Sequence, residues 1–338
     1  MSRHHWMPDV PLTPPPHVIL HADDLGLNAP ITQGIIVGFE AGLLTSTALL
    51  ANAPAAEQAL VAWQRLIELH RRGRLASAAA RRRVGDDLGD FDLGVHLNLT
   101  QGAALTSRRF PRQLLNDRGE FLPPGQLFSR LLWLGDRYRE PICAELEAQI
   151  EFLVARGRRP THLNGHQYVE LMPVVSECIA ELARRYSIGV VRVPREPRHW
   201  LTSLRPGFRA VNGALSHVKQ LFARRFAARI DAAGLKHPET YFGASHAGRV
   251  DLRMCAMFLR AGRGRGLVEI AFHPGCHADE SEAKRCLSPT SRAWNDPLAA
   301  WRPAELALLC SPRLADLLSQ YGRQLGRLRS IGAERAAA

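Results

Sequence analysis

A strand, a helix and a second strand follow one another within roughly 35 residues near the start of the chain, which is the length of a βαβ unit. The segment His17–Ala22 is short and apolar and lies between a proline and an acidic pair, which predicts a buried strand. Asn28 is placed to cap a helix with Pro30 in its first turn, and Thr45–Ala51 predicts the second strand. Units of this kind build parallel sheets with right-handed crossovers.

The same alternation continues along most of the chain and predicts six or seven strands in an α/β protein. This favours an incomplete (β/α) barrel of about six to seven parallel strands over an open doubly wound sheet. Dinucleotide and P-loop glycine motifs do not occur in the sequence. We expect one domain over residues 17–325, with loop insertions near 71–91 and 100–125 and a proline-rich lead over 1–16. The later strands are predicted at Leu93–Leu99, Thr161–Asn164, Gly189–Val193 and Leu267–Phe272, and the later helices near Ala55–Arg71, Ile142–Val154, Val174–Tyr186, Leu215–Ala233, Leu252–Ala261 and Pro303–Tyr321.

The formal net charge of +12 raises the question of a polyanionic partner. Only three of the 44 basic residues are lysines, and the arginines accompany abundant alanine. This pattern favours compositional bias over a dedicated site, so we expect no nucleic-acid partner and leave open a weak attraction to acidic surfaces. The role of the arginine-dense stretch Arg71–Arg83 also stays open.

Cysteine usage and the chain start bear on the compartment. The six cysteines include no CxxC pair, which favours reduced thiols in a cytosolic enzyme over a disulfide framework. Residues 1–16 lack the apolar core of a signal peptide, and no run of about 18 apolar residues could span a membrane. We therefore expect a cytoplasmic protein without a transmembrane segment.

Four predicted strands have carboxylate or imidazole side chains, which can bind metal ions or transfer protons, at or near their carboxyl ends. The first ends at Asp23 and Asp24, the third carries His96, a later one leads to His166, and the last leads to His273. Because these ends converge on one rim of a barrel, we expect the active site there. One carboxylate with two imidazoles suits a divalent ion that keeps positions open for water and substrate. Neighbouring residues of an extended segment face opposite ways, which frees the other aspartate to act as a general base.

The segments HADDLGLN, TSTALLANAPAAE, GVHLNLTQG, PTHLNGHQ and HPG follow one another in this order between about His17 and His277. Together they resemble the YdjC-like (ChbG-type) carbohydrate deacetylase family. The resemblance implies a deformed (β/α) barrel related to the polysaccharide deacetylases. It also implies a homodimer that removes an acetyl group from an N-acetylated amino sugar by metal-activated water.

The resemblance carries specific roles onto this chain. Asp24, His96 and His166 would hold one divalent ion (Zn, Mg, Mn, Co or Ni), Asp23 would be the general base and His273 the general acid. The family usually has GHQH followed by V and H, whereas here Gln167 is followed by Tyr168, Val169 and Glu170. The metal-ligand position His166 is intact. The difference from the family pattern at residues 168–170 therefore concerns the identity of the substrate more than the type of reaction.

Five further residues are candidates for substrate contact. Arg192 could keep Asp23 ionised or bind substrate, and Asn98 and Asn164 could orient the ligands or contact sugar hydroxyls. Tyr168 and Glu170 lie where contacts to substrate or to the ligands could fall. The sequence does not decide whether the sugar is a mono- or oligosaccharide, nor whether it is free, phosphorylated, nucleotide-linked or lipid-linked. Two alternatives remain: another metal hydrolase on the same barrel, acting on a phosphoester or non-sugar amide, and a non-catalytic relic that binds glycans or polyanions.

Overall fold

Alternating strands and helices run from residue 17 to residue 333 in the computed structural model, which describes residues 16–83, 90–197, 209–244, 246–277 and 294–333. Residues 1–15 of the proline-rich lead and residues 84–89 of the first predicted insertion lie outside the described residues. The elements are β1 His17–Leu25, α1 Ala29–Ala41, β2 Ser46–Leu49, α2 Ala56–Arg71, α3 Ala78–Arg83, β3 Asp92–Leu97, α4 Pro124–Leu134, α5 Arg139–Val154, β4 Leu163–Gly165, α6 Pro173–Arg185, α7 Arg209–Ala232, β5 Thr240–Phe242, α8 Leu252–Ala261, β6 Leu267–Phe272, α9 Arg302–Leu309, α10 Pro312–Gln320, β7 Gln324–Leu325 and α11 Leu328–Ala333.

The strands form one parallel sheet in the order β4-β3-β2-β1-β6-β5, with β7 paired to the start of β1. The predicted strand Gly189–Val193 instead forms isolated parallel bridges, from Val191 to Leu163 of β4 and from Val190 to Lys236. The sheet is therefore extended beyond β4 by single bridges and not by a continuous ladder. The sheet is a half-barrel, which confirms the predicted incomplete α/β barrel.

The side chains inside the barrel change from apolar to polar along its axis. Ile19, Val190, Leu267 and Leu328 form a small apolar cluster at the end where the strands begin. Because successive side chains of a strand alternate in direction, His21 follows Ile19 on the same face of β1, closer to the carboxyl ends of the strands. The interior thus becomes polar toward the rim where the sequence predicts the active site.

Local sequence signals account for the first crossover. Asn28 caps α1 because its Oδ1 accepts a hydrogen bond from the backbone N of Ile31 at 2.9 Å, as the sequence predicts.

The opposite face of the sheet is covered by helices, which pack through aromatic side chains. The ring centroids of Phe39 on α1 and Trp63 on α2 lie 5.3 Å apart, edge to face.

Several local predictions differ from the structure. The predicted helix Pro303–Tyr321 is two helices, α9 and α10, because Pro312 cannot donate the backbone hydrogen bond that would continue the first. Helix α4 and strand β5 have no counterpart in the prediction, and the loop over 100–125 contains a 3₁₀ turn at Arg112–Leu114.

The oxidation state predicted for the cysteines is wrong for one pair. A disulfide joins Cys143 on α5 to Cys178 on α6, two helices that pack side by side. Their separation of 35 residues carries no CxxC-like signal, so spacing alone did not reveal the pairing. Among the described residues, no helix combines the length and apolar character needed to cross a membrane.

One residue of the arginine-dense stretch has a structural role. Arg81 is fully buried, and its guanidinium donates to the backbone carbonyls of Phe39 at 3.1 Å and Leu44 at 2.7 Å. The same group lies 4.7 Å from the centroid of the Phe91 ring. This arginine ties α3 to the first βαβ unit and does not contribute to a basic surface.

Candidate metal centre

Asp23 and Asp24 both line one cavity at the carboxyl end of the strands, although the alternation of a regular strand would point them apart. The register of β1 against β2 shifts between Ala22 and Leu25, which marks a bulge. Asp24 has a φ of 68°, a left-handed conformation that few residues other than glycine adopt. The expectation that the pair would face opposite ways is therefore wrong. Backbone strain of this kind is concentrated at functional sites.

Three donor atoms from β1, β3 and the turn after β4 converge beside this pair. Asp24 Oδ1 lies 3.2 Å from His166 Nδ1 and 3.5 Å from His96 Nε2, and the two nitrogens are 3.2 Å apart. Ligands about 2.0–2.1 Å from a tetrahedral zinc ion are separated by about 3.3 Å, so the spacing fits a shared divalent ion. Asp24 Oδ1 is also buried without a hydrogen-bond partner. A coordinated cation would satisfy it.

The orientation of His166 is fixed by a glutamine that the sequence prediction missed. Gln101 Nε2 donates to the backbone carbonyl of Asn295 at 2.8 Å, so its Oε1 faces His166 Nε2 at 3.1 Å. The His166 proton is then held on Nε2, and the lone pair of Nδ1 points into the cluster. Gln101 belongs to the quoted segment GVHLNLTQG, but nothing in that segment distinguishes it from the neighbouring polar residues.

A second missed residue, Arg302, contacts the other oxygen of Asp24. Arg302 Nη2 lies 2.7 Å from Asp24 Oδ2, and its Nε donates to Asp296 at 2.8 Å. Burial opposes the ionisation of Asp24, but the charge of Arg302 outweighs it and holds the pKa of Asp24 well below its usual range. Arg302 opens α9, 278 residues from its partner, which is why no local pattern could predict the contact.

Asp23 is held by a buried polar network. Arg192 Nη1 lies 2.8 Å from both carboxylate oxygens, Asn164 Nδ2 donates at 2.8 Å, and His21 Nε2 lies 3.1 Å away. The Arg192 guanidinium also contacts Glu269, with Nε donating at 2.7 Å. Burial raises the pKa of Asp23, but the Arg192 charge overcomes this and holds it well below its usual range. Asp23 is therefore ionised at neutral pH.

His273 follows β6 and faces the same carboxylate. Its Nε2 lies 3.7 Å from Asp23 Oδ2, and its backbone N donates to Glu305 Oε2 at 2.5 Å. Burial lowers the pKa of His273, while the two aspartates act in the opposite direction. The ring is thus positioned beside the base and open to the cavity.

The cavity has a volume of about 190 Å³, and most of the predicted site residues line it. Glu170 is buried there with one carboxylate oxygen unpartnered, and burial raises its pKa to about 7. The Tyr168 hydroxyl donates to the carbonyl of Ala244 at 2.5 Å. The predicted residues that the structure brings together in the cavity wall are Asp23, Asp24, His96, His166, His273, Arg192, Tyr168 and Glu170.

The two asparagines lie behind the wall, so the structure does not favour direct sugar contact for either. Asn98 Oδ1 accepts from the backbone N of Thr100 at 2.9 Å and of Gln101 at 3.2 Å. Asn98 therefore shapes the turn that presents Gln101 to His166. Asn164 contacts Asp23, as described above. Both geometries match the orienting alternative that the sequence left open.

The fold and the site define an α/β half-barrel with an Asp-His-His cluster and a second aspartate at its rim. The sequence model of the family described as YdjC-like protein matches residues 17–320. The chain belongs to the YdjC-like family.

Relatives and one solved structure agree with this assignment. The chain is 29% identical to proteins named carbohydrate deacetylase from Mus musculus, over 94% of this chain and 96% of that protein, and from Homo sapiens, over 94% and 92%. A carbohydrate deacetylase of Geobacillus stearothermophilus is 32% identical over 54% of this chain and 63% of its own length. A crystal structure from Enterococcus faecalis V583, described as a candidate cellobiose-phosphate cleavage protein, superposes with a TM-score of 0.65 at 19% identity, covering 94% of this chain and 99% of that one, and supports the fold.

Proposed function

We propose that this protein is a metal-dependent carbohydrate deacetylase that hydrolyses the acetamide of an N-acetylated amino sugar. The observation that carries the proposal is the convergence of Asp24, His96 and His166 beside the ionised Asp23 in one cavity. All three relatives described above carry the name carbohydrate deacetylase, which supports the same reaction class.

The residues that would hold a divalent ion are Asp24 through Oδ1, His96 through Nε2 and His166 through Nδ1. A divalent ion bound to such a set lowers the pKa of water and polarises a carbonyl oxygen, and both effects favour attack on an amide. Ligand type leaves Zn, Mg, Mn, Co and Ni as candidates.

Asp23 is assigned as the general base. Its carboxylate is kept ionised and fixed in direction by Arg192 and Asn164, so it is ready to accept a proton from the attacking water. Arg192 therefore acts as a positioning residue through Asp23. The buried guanidinium of Arg192 contacts two carboxyl groups, Asp23 at 2.8 Å and Glu269 at 2.6 Å, which accounts for a charge in this position.

His273 is assigned as the general acid that protonates the leaving amine. Its Nε2 faces Asp23 Oδ2, so a proton taken up by the aspartate lies beside the imidazole that must deliver one. An amide nitrogen is a poor leaving group until it is protonated, which is why the site needs this second group. Tyr168 and Glu170, which also line the cavity, are assigned to substrate contact.

Acetate release by the metal-loaded protein over a panel of N-acetylated amino sugars tests the proposal. Asp23→Asn is expected to lower kcat at least a hundredfold while metal content is retained, because the general base is lost and the ligands are untouched. Asp117→Asn, on an exposed loop, is the matched control and should leave kcat unchanged. Equal turnover by the Asp23 variant would refute the role. Phosphate release from phosphorylated sugars without acetate release would favour the phosphoesterase alternative.

A homodimer and a cytoplasmic location remain proposals. The first is supported by the family to which the chain belongs. Sedimentation of the purified chain and fractionation of the source cells test them.

A further inference from the structure

A second cavity of about 610 Å³ adjoins the catalytic one, between α4 and residues 218–222 of α7. Gln167 and Tyr168 line both cavities, so they form a common wall between them. We call the second cavity the apolar groove. Its floor and sides include Phe128, Leu132, Trp133, Leu171 and Phe222.

The groove is unusually apolar for an open surface. Trp133 is 83% exposed and Leu132 and Val218 are each 49% exposed. Single exposed apolar residues are ordinary, but a contiguous concave set of them marks a binding surface. Among the described residues that line the groove, Lys219 is the single charged side chain. Its Nζ lies 4.4 Å from the centroid of the Tyr168 ring, at the wall shared with the catalytic cavity.

The shared wall is held in a strained conformation. Gln167 and Tyr168 have φ values of 52° and 66°, and both fall in the left-handed region. Two consecutive non-glycine residues of this kind are costly, and such strain persists where the surroundings enforce a functional shape. The hydrogen bond from the Tyr168 hydroxyl to Ala244 fixes the ring at this junction.

The volumes of the catalytic cavity and the apolar groove indicate which part of one ligand each could hold. The catalytic cavity of about 190 Å³ lies below the range of about 300–1,000 Å³ that is typical of small-molecule sites, whereas the groove of about 610 Å³ lies within it. A substrate too large for the polar cavity can extend past the shared wall of Gln167 and Tyr168 into the groove. A molecule that occupies both spaces must be polar at one end and apolar at the other.

We propose that the substrate is amphiphilic, an N-acetylated amino sugar joined to a hydrocarbon aglycone that lies in the apolar groove. This inference rests on the proposed deacetylase function and names its substrate class. Tyr168 separates the two parts, and Lys219 stands where the polar head meets the chain. The groove residues are specificity determinants, because they contact the aglycone and not the reacting acetamide.

Alkyl β-glycosides of N-acetylglucosamine with methyl, butyl and octyl chains, used below their micelle concentrations, test the proposal. We expect kcat/KM for acetate release and the affinity measured by calorimetry to rise together with chain length, on the order of fourfold for each fully buried methylene. Leu132→Glu places a charge in the groove and should abolish the gain in kcat/KM and affinity with chain length. Val61→Glu, at a 73% exposed position on α2, is the matched control and should keep the gain.

Each outcome separates the groove from the reaction. Equal values for all three glycosides, or a gain that survives in Leu132→Glu, would overturn the groove assignment. Tighter binding of longer chains that Leu132→Glu abolishes, without acetate release from any glycoside, would uphold the groove and refute the deacetylase function. Chain-length independence combined with self-association that Leu132→Glu disrupts would overturn the proposal in favour of a second copy of the chain.

Discussion

We expect the buried carboxyl of Glu170 to make the stability of the protein depend on pH. Glu170 is 1% exposed, its Oε2 has no hydrogen-bond partner, and burial raises its pKa from 4.5 to about 7. The folded state thus favours the protonated acid. The stabilisation from this proton is complete below pH 4.5, declines as the pH rises, and is lost above about pH 7.

The size of this effect follows from the shift in pKa. One pKa unit corresponds to about 1.36 kcal/mol. Raising the pKa of Glu170 from 4.5 to about 7 therefore changes the free energy of unfolding by about 3 kcal/mol between acidic and alkaline pH. Glu170→Gln keeps the shape of the side chain and removes the ionisation. The variant should therefore be about 3 kcal/mol more stable than the parent at pH 8 and of similar stability at pH 4.

Urea unfolding of chelator-treated protein at several pH values between 4 and 8 measures the difference. Chelation keeps bound cations from changing the titration of the site. The free energy of unfolding of the variant minus that of the parent should rise steadily from pH 4.5 to 7 and then level off. A constant difference across this range would refute the assignment of a buried, unpartnered carboxyl to Glu170.

Three other substitutions have definite expected outcomes. Arg192→Met leaves Asp23 and Glu269 buried without their cation and should lower the free energy of unfolding by about 3–5 kcal/mol at pH 7. The loss should be smaller at acidic pH, where the carboxyl groups are protonated. An unchanged stability would contradict the network. Gln101→Leu removes the acceptor that orients His166 and should weaken metal affinity roughly tenfold to a hundredfold by calorimetry, and equal affinity would rule out that role. Breaking the disulfide by Cys178→Ser opens a link across 35 residues and should lower stability by about 3–4 kcal/mol without reductant, whereas parent and variant should unfold alike in reductant.

Much of the fold could be predicted because its signals are local. The first strand, the Asn28 cap and the second strand each depend on a few neighbouring residues. Strand β5 has only three residues and the bridges near Val190 have fewer, so neither carries a hydrophobic period that could be recognised. Helix α4 begins with Pro124 inside a stretch of proline and glycine that reads as a loop.

The residues of the site also fall into two groups, those that local sequence predicts and those that depend on tertiary structure. Its ligand residues follow strands, and parallel strands bring their ends together whatever the details of packing. The supporting contacts depend on tertiary structure: Arg302 reaches Asp24 from the other end of the chain, and the left-handed turn at Asp24 aims both aspartates into one cavity. Neither feature leaves a trace in residue spacing. The cysteine pair is similar, because only the packing of α5 on α6 brings the two sulfur atoms together.

The most direct test of the account is calorimetric titration of chelator-treated protein with Zn²⁺, Mn²⁺, Co²⁺, Ni²⁺ and Mg²⁺. At least one of these ions should bind the parent and Asp23→Asn at one ion per chain. The same ion should bind much more weakly, or not at all, to Asp24→Ala and His96→Ala. Unchanged one-to-one binding by both ligand variants, or no binding of any of the five ions by the parent, would contradict the claim that these side chains share a cation.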